Sequence, residues 1–303
     1  MIITYCYIGL LPQYAIDTVH QTRLFYNGDI YFIVSDLHSP VIDILREKYN
    51  VIIIDYNTVY STEFNMKFEE YRQKFYIVPE LKERDKLFVY AFERFFSLYH
   101  LMDQRNLDNV FFLELDNLIY DDPRNWETLF NKKDIAYMFD NYERFASGIF
   151  YVKNKIALKK LNDSFLHYIS TLSTDCIVEM GGLFDFYEHN KNDIQILPTL
   201  WKIPSVPKII YENFDDYNSI FDAAALGIYL GGIDPIHNKG IIKKGLKWWG
   251  SLLDYTIYEY DWKLDESGRK IPYILHPDTN EWIRINNFHI HSKKLDDCLS
   301  KSY

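Results

Sequence analysis

Cysteine is scarce in this chain of 303 residues: Cys6, Cys176 and Cys298 are odd in number and far apart, and no CxxC pair occurs. That usage suits a reducing compartment and excludes a disulfide framework. Basic charge is also short. Lys and Arg number 33 against 43 Asp and Glu, a formal net charge of −10, so a nucleic-acid backbone is repelled on average and is not an expected partner. No apolar run approaches the roughly 20 residues that a membrane helix needs. The opening "MIITYCYIGLLPQYAIDTVHQTR" has no basic n-region, so neither a signal peptide nor a membrane span is expected, and the expected localisation is cytoplasmic. Internal repeats and low-complexity segments are missing too. What remains is 48% hydrophobic, 25% charged and 17% aromatic, the composition of a globular chain.

The order of elements carries more information. "IITYCYIG" (2–9), "DIYFIVSD" (29–36) and "VIIIDY" (51–56) read as strands, and "YAIDTVHQTRLFY" (14–26) and "PVIDILREKY" (40–49) as helices between them. Alternation of this kind predicts a parallel sheet covered by helices. A long amphipathic helix follows over 85–106, then "NVFFLELDNLIYDD" (109–122) as a fourth strand. In α/β sheets of this class ligands lie beyond the carboxyl ends of the strands. Glu114 and Asp116 stand near that end, in a stretch otherwise suited to burial.

Three chemistries account for two such acids. They can meet solvent in a turn made by Asp116 and Asn117. A phosphatase-type nucleophile would place paired aspartates after a first strand; here the first acid is Glu, the strand is the fourth, and the expected Thr is missing. A divalent cation held between the acids and a diphosphate is the third, because Mg²⁺ and Mn²⁺ take one or two carboxylates plus phosphate oxygens.

The stretch "FFLELDNLIY" resembles the D-x-D strand of GT-A-fold glycosyltransferases, with Glu114 in place of the first Asp and Asp116 at the second position. The resemblance implies that Asp116 binds the metal and that Glu114 contacts the ribose or the metal. Three further stretches match the order of motifs. Arg94, in "VYAFERFFSLYHLM", occupies the helix from which such enzymes reach the donor's base or phosphates; as residues alone, an arginine snorkelling past an apolar face reads equally well. "FASGIFYVKNK" (145–155) resembles the strand beside the donor sugar, with Ser147 a hydrogen-bond partner and Gly148 permitting close approach. "NNFHIHSKKL" (286–295) sets His289 and His291 two apart on an expected strand, pointing to one face with Lys293. The resemblance assigns the histidines to the metal and Lys293 to the diphosphate. Ser292 and the early position of Lys293 depart from the H-x-x-G-x-x-K pattern of the glycogenin-like family, so membership there is not supported. Imidazole favours Mn²⁺ over Mg²⁺.

Between these motifs, "STDCIVEMGGLFDFYEHN" (173–190) offers Asp175, Glu179 and Asp185 as acceptor or catalytic groups. For Asp175 an N-cap is the default reading. A carboxylate base suits an inverting transferase; a retaining one often works without a dedicated base, and the sequence does not choose between them. "SIFDAAALGIYLGGIDP" (219–235) reads as a short helix, with Asp222 near its start, ending at Gly231 and Gly232. Trp248 and Trp249 form either a sugar-stacking pair or a core pair. "YILHPDTNEWIRI" (273–285) reads as a hairpin feeding the histidine strand.

The expectation is an α/β fold, a GT-A-like Rossmann-type nucleotide-binding sheet with an acceptor-binding carboxyl-terminal part. It comprises one domain over 1–303, with 1–140 mainly for nucleotide sugar and 141–303 mainly for acceptor. Its expected activity is metal-dependent transfer from a nucleoside-diphosphate sugar, UDP favoured and GDP next, to a glycan or glycoprotein acceptor. A degenerate glycan- or partner-binding module and a metal-dependent phosphohydrolase are the other readings.

Overall fold

In the computed structural model, residues 1–71, 85–141, 144–171, 178–230 and 253–301 are described. The first half builds as the alternation predicts. Strand β1 (Ile2–Tyr7) leads to helix α1 (Ala15–Phe25), β2 (Ile30–Val34), α2 (Pro40–Tyr49) and β3 (Ile52–Asp55). The strands are β-branched and aromatic, side chains that suit a pleated surface. Helix α2 carries its own boundary signals. Ser39 caps it by accepting from the Val41 amide, Pro40 takes the first turn, and Asn50 closes it in the left-handed region at φ 50°.

Helix α3 (Thr62–Tyr71) and the 21-residue α4 (Asp85–Arg105) precede β4 (Val110–Leu113) and β5 (Asn117–Ile119). Next come α5 (Glu127–Phe130), β6 (Ile135–Asn141), β7 (Arg144–Val152), α6 (Lys155–Thr171), α7 (Glu179–Asn190) and β8 (Ile194–Leu197). The remaining described elements are α8 (Phe214–Tyr217), β9 (Ser219–Ile220), β10 (Tyr260–Leu264), β11 (Lys270–Leu275), β12 (Trp282–Ile285) and β13 (Asn287–His289).

The central sheet has seven strands in the order β3-β2-β1-β4-β7-β6-β8. All are mutually parallel except β7, which runs against β4 and β6. The fold is therefore mixed α/β with a mostly parallel sheet. Chain order runs outward from β1 to β3 on one side and jumps to β4 on the other. That reversal makes a crevice at the carboxyl ends of β1 and β4.

Alternate strand residues feed two cores. Val110 and Phe112 of β4 join Phe92, Phe95, Leu158 and Leu183 from α4, α6 and α7. Phe111 and Leu113 join Ile16, Val19, Val41 and Leu45 from α1 and α2. Phe95 packs edge-on against Phe150 at 5.1 Å and Phe165 at 5.3 Å. Burial on both faces explains why β4 reads as an uninterrupted apolar run.

Two expectations are corrected here. The run 109–122 is not one strand. It breaks after Leu113, and β5 leaves the main sheet to pair antiparallel with β13, His289 opposite Asn117. The 219–235 stretch is not a helix over its described part. Ser219 and Ile220 form β9 beside β12. Ala224 then stands at φ 72°, and only a 3₁₀ turn, Gly227–Tyr229, follows. An alanine-rich run has high helix propensity, but the Asp222 carboxylate takes the Leu226 and Gly227 amides and closes a different turn. The expected hairpin does form from β11 and β12. Among the described residues no helix is long and apolar enough to cross a membrane.

Candidate functional site

The break between β4 and β5 is what displays the acids. Glu114 donates its amide to the Gly148 carbonyl at 3.0 Å, and the Asn117 amide returns to the Glu114 carbonyl at 3.0 Å, closing a tight turn. Thr18 on α1 donates to the Leu115 carbonyl at the turn's apex. Glu114 and Asp116 thus leave the sheet at the crevice beside β1, while Leu115 stays buried.

The carboxyl-terminal segment comes to meet them. Pairing of β13 with β5 continues into a bond from the Ile290 amide to the Asp116 carbonyl at 2.8 Å. His289 Nε2 lies 2.9 Å from Glu114 Oε2 and 3.3 Å from Asp116 Oδ1. One ligand atom from each of the three residues falls within 4.8 Å of the others. Only Asn287–His289 are strand, so His291 and Lys293 are not carried to the site by strand parity as expected. The His291 ring meets the His289 ring edge-on at 4.9 Å. Lys293 turns back through φ 62° and its ammonium pairs with Asp116.

Charge in this cluster is balanced by pairing. Burial by itself would raise the Glu114 carboxyl, but the Arg94 and His289 charges outweigh it and hold the group down at about 2. Burial likewise opposes ionisation of Asp116, and Lys293 and His289 overcome it, keeping the group well below the ordinary range. For His289 burial favours the neutral ring, yet Asp116 and Glu114 push it up to about 10. In this arrangement one ring nitrogen of His289 faces both acids.

The donor set fits a hard divalent ion. Two carboxylates and one imidazole suit Mn²⁺. Metal–oxygen bonds of about 2.1 Å put neighbouring ligand atoms about 3 Å apart, close to the 2.9 and 3.3 Å between His289 Nε2 and the two acids. His289 Nδ1 is buried and has no hydrogen-bond partner among the described residues. The ring is confined by Gly148, where a Cβ would overlap Asn117 Nδ2 and lie 2.8 Å from His289 Nδ1.

Behind the acids sits Arg94. Its guanidinium pairs with Glu114, donates to Ser147 Oγ at 2.7 Å and reaches Glu179 at 3.4 Å. Arg94 therefore braces Glu114 from the core side. Glu179 opens α7, and burial raises its carboxyl pKa despite Arg94. Asp185 stands six residues on, about 240° around the helix, and approaches His189 at 3.9 Å. The structure brings Arg94, Glu114, Asp116, Ser147, Gly148, Glu179, His289 and Lys293 into one neighbourhood, and Asp185 is turned away from it. Asp175, Gly231, Gly232, Trp248 and Trp249 lie outside the described residues.

Several polar residues have no counterpart in the motif reading. Asn287 donates to Asn117 Oδ1 at 2.7 Å and to the Asp222 carbonyl at 3.0 Å, and all three residues are buried. Asp140, at the carboxyl end of β6, is pushed up to about 6 by burial, partly offset by its ion pair with Arg144 at 2.8 Å. With Thr199, Ala223 and Tyr255 it lines a small cavity. The only hint in sequence was polarity at the edge of apolar runs, which turns produce equally.

No protein-family model matches the chain, and no curated protein sequence matches it. Solved structures resemble it at low identity. Mouse xyloside xylosyltransferase 1 in its apo form is 14% identical over 66% of this chain and 85% of that one, with a TM-score of 0.47. The galactosyltransferase LgtC, solved with donor and acceptor sugar analogues, is 13% identical over 66% of this chain and 74% of its own, TM-score 0.41. The apo glycosyltransferase GlyE of Streptococcus pneumoniae TIGR4 is 14% identical over 65% of this chain and 44% of its own, TM-score 0.41, so the chain spans less than half its length.

Proposed function

We propose that this chain is a metal-dependent glycosyltransferase of GT-A type, moving a sugar from a nucleoside-diphosphate sugar, UDP favoured and GDP next, to a hydroxyl of a glycan or glycoprotein. One observation carries the reading: Glu114, Asp116 and His289 converge at the carboxyl ends of β1 and β4, with Lys293 beside them. Glu114, Asp116 and His289 would hold Mn²⁺ or Mg²⁺, with His291 adjacent. The ion, when bound, supplies positive charge that neutralises the departing diphosphate.

The chain's own groups do the remaining work. Lys293, paired with Asp116, would leave it for a diphosphate oxygen. Arg94 keeps Glu114 ionised and aimed, and Ser147 offers a hydroxyl to the donor sugar. Gly148 keeps a side chain out of the space that Asn117 and His289 fill. In the transfer, the acceptor oxygen bonds to the anomeric carbon as the carbon–oxygen bond to the diphosphate breaks. The acceptor proton passes to a carboxylate or to the leaving group. Asp175 and Glu179 are the candidates for holding the acceptor or taking that proton. Glu179 is favoured because its burial raises its proton affinity.

Calorimetry with UDP- and GDP-sugars, with and without Mn²⁺, tests the reading. Binding that requires metal is expected, with at least about a 100-fold loss in Asp116→Asn, more than partners outside the ligand set cost. No nucleotide-sugar binding in either condition would overturn it. Release of inorganic phosphate from simple esters would point to a phosphohydrolase, and binding without any turnover to a degenerate module.

A further inference from the structure

Asp222 is 1% exposed and belongs to no motif, yet its carboxylate is bound by backbone amides on two sides. Oδ1 accepts from the Leu226 amide at 2.8 Å, and Oδ2 accepts from the Gly227 amide at 2.7 Å and the His289 amide at 3.0 Å. Its own backbone is pinned by Asn287, whose side chain accepts from the Asp222 amide at 2.9 Å and donates to the Asp222 carbonyl at 3.0 Å. The same Asn287 amide group reaches Asn117 Oδ1 at 2.7 Å, one residue beyond Asp116. A single buried carboxylate therefore joins the 222–227 turn to the histidine strand, and through Asn287 to the acid turn.

The turn is shaped for this contact. Gly227 presses on the His289 backbone so closely that a Cβ would overlap its carbonyl group. Ala224 is held at φ 72°, a conformation costly for a residue with a Cβ. Backbone strain of this kind persists only where surrounding contacts enforce it. A buried carboxylate is also an expensive way to stabilise a turn that a neutral side chain would close. A carboxylate differs in accepting several N–H bonds at once, and here one of them belongs to the histidine that faces Glu114 and Asp116.

We propose that Asp222 is a positioning residue that fixes the backbone of His289, so that its imidazole meets Glu114 and Asp116 in the geometry a divalent cation needs. The inference rests on the metal-site reading above. Asp222 touches neither substrate nor ion and acts through His289, while Gly148 confines the ring from the other side.

Mn²⁺ affinity in the presence of UDP, measured by calorimetry on the full chain, is the readout, with transfer activity not needed. Asp222→Asn keeps the shape and removes the charge. It is expected to weaken Mn²⁺ binding about 10- to 100-fold, as partners behind metal-bound histidines do. In a His289→Ala background the same substitution should cost nothing further, because its effect passes through that ring. Parental affinity in Asp222→Asn, or an equal loss in both backgrounds, overturns the proposal. Should Asp222→Asn not fold, Gly227→Ala tests the same contact from the turn, with the same loss expected and unchanged affinity overturning it. Failure of the parent protein to bind Mn²⁺ with UDP would instead overturn the metal-site reading.

Discussion

The β1–β4 half and the described part of the 219–301 region hold together differently. In the first, parallel strands and amphipathic helices bury side chains at regular spacing, and each element is stabilised by apolar packing on both faces of the sheet. In the second, strands are two to four residues long at β9, β12 and β13, and buried amides and carboxylates join the apolar contacts of Ile271, Ile283 and Phe288 in supplying the order. Asn286 bonds Ser219 Oγ at 2.8 Å, and Ser300 exchanges bonds with Gln21 on α1 at 2.8 Å. Apolar packing is non-directional and tolerant, whereas a polar network has one correct geometry and a high cost for each missing partner. The scaffold comes from the first kind of region. The two acids are displayed by a turn at the end of that scaffold, and the histidine that must be aimed at them comes from the second.

Emptying the first region gives the largest expected effect. Phe95→Ala removes a fully buried ring and should cost about 3–5 kcal/mol in chemical denaturation. Mn²⁺ affinity per folded molecule should stay at the parental value. A parallel loss of affinity would mean that the two regions are not separable in this way.

Crossing the boundary should be smaller in stability and larger in binding. Gly148→Ala inserts a Cβ into Asn117 and His289. We expect a loss of about 1–3 kcal/mol from overpacking, together with weaker metal-dependent binding because the imidazole is displaced. Unchanged binding would show that His289 tolerates movement.

The smallest effect is a pH dependence at Asp140. Burial raises its carboxyl from 3.8 to about 6, so the folded state holds this proton more tightly than the unfolded chain does. Its contribution to stability is therefore complete below pH 3.8 and is lost as pH rises through about 6. Glu114 acts with the opposite sign. Its carboxyl is lowered from 4.5 to about 2, so its contribution is present above 4.5 and lost as pH falls toward 2. Melting temperatures of Asp140→Asn and the parent should diverge in slope between pH 4 and 6. Parallel curves would remove the raised carboxyl.

Much of the scaffold was legible because its signals are local. Ser39, Pro40 and Asn50 mark the ends of α2 wherever it packs, and the period of apolar residues in 85–106 identifies α4 without knowledge of its neighbours. Glu114 and Asp116 also stood out, since charge at the end of an apolar run is visible in one dimension. Asp185 shows the limit of such reading. It is close to Glu179 in the chain, but helical geometry turns the two apart.

The alternation of apolar strands and helices in this sequence determined a mostly parallel α/β sheet, because side-chain period and burial are coupled residue by residue. Only the tertiary structure decided that the 109–122 run breaks after Leu113, that β13 pairs with β5 in the register setting His289 opposite Asn117, and that Asp222 grips the His289 amide. Lys293 and Asp116 are 177 positions apart. Contacts over that distance depend on hydrogen-bond geometry that exists only once the sheet has closed, and no local pattern of residues encodes it.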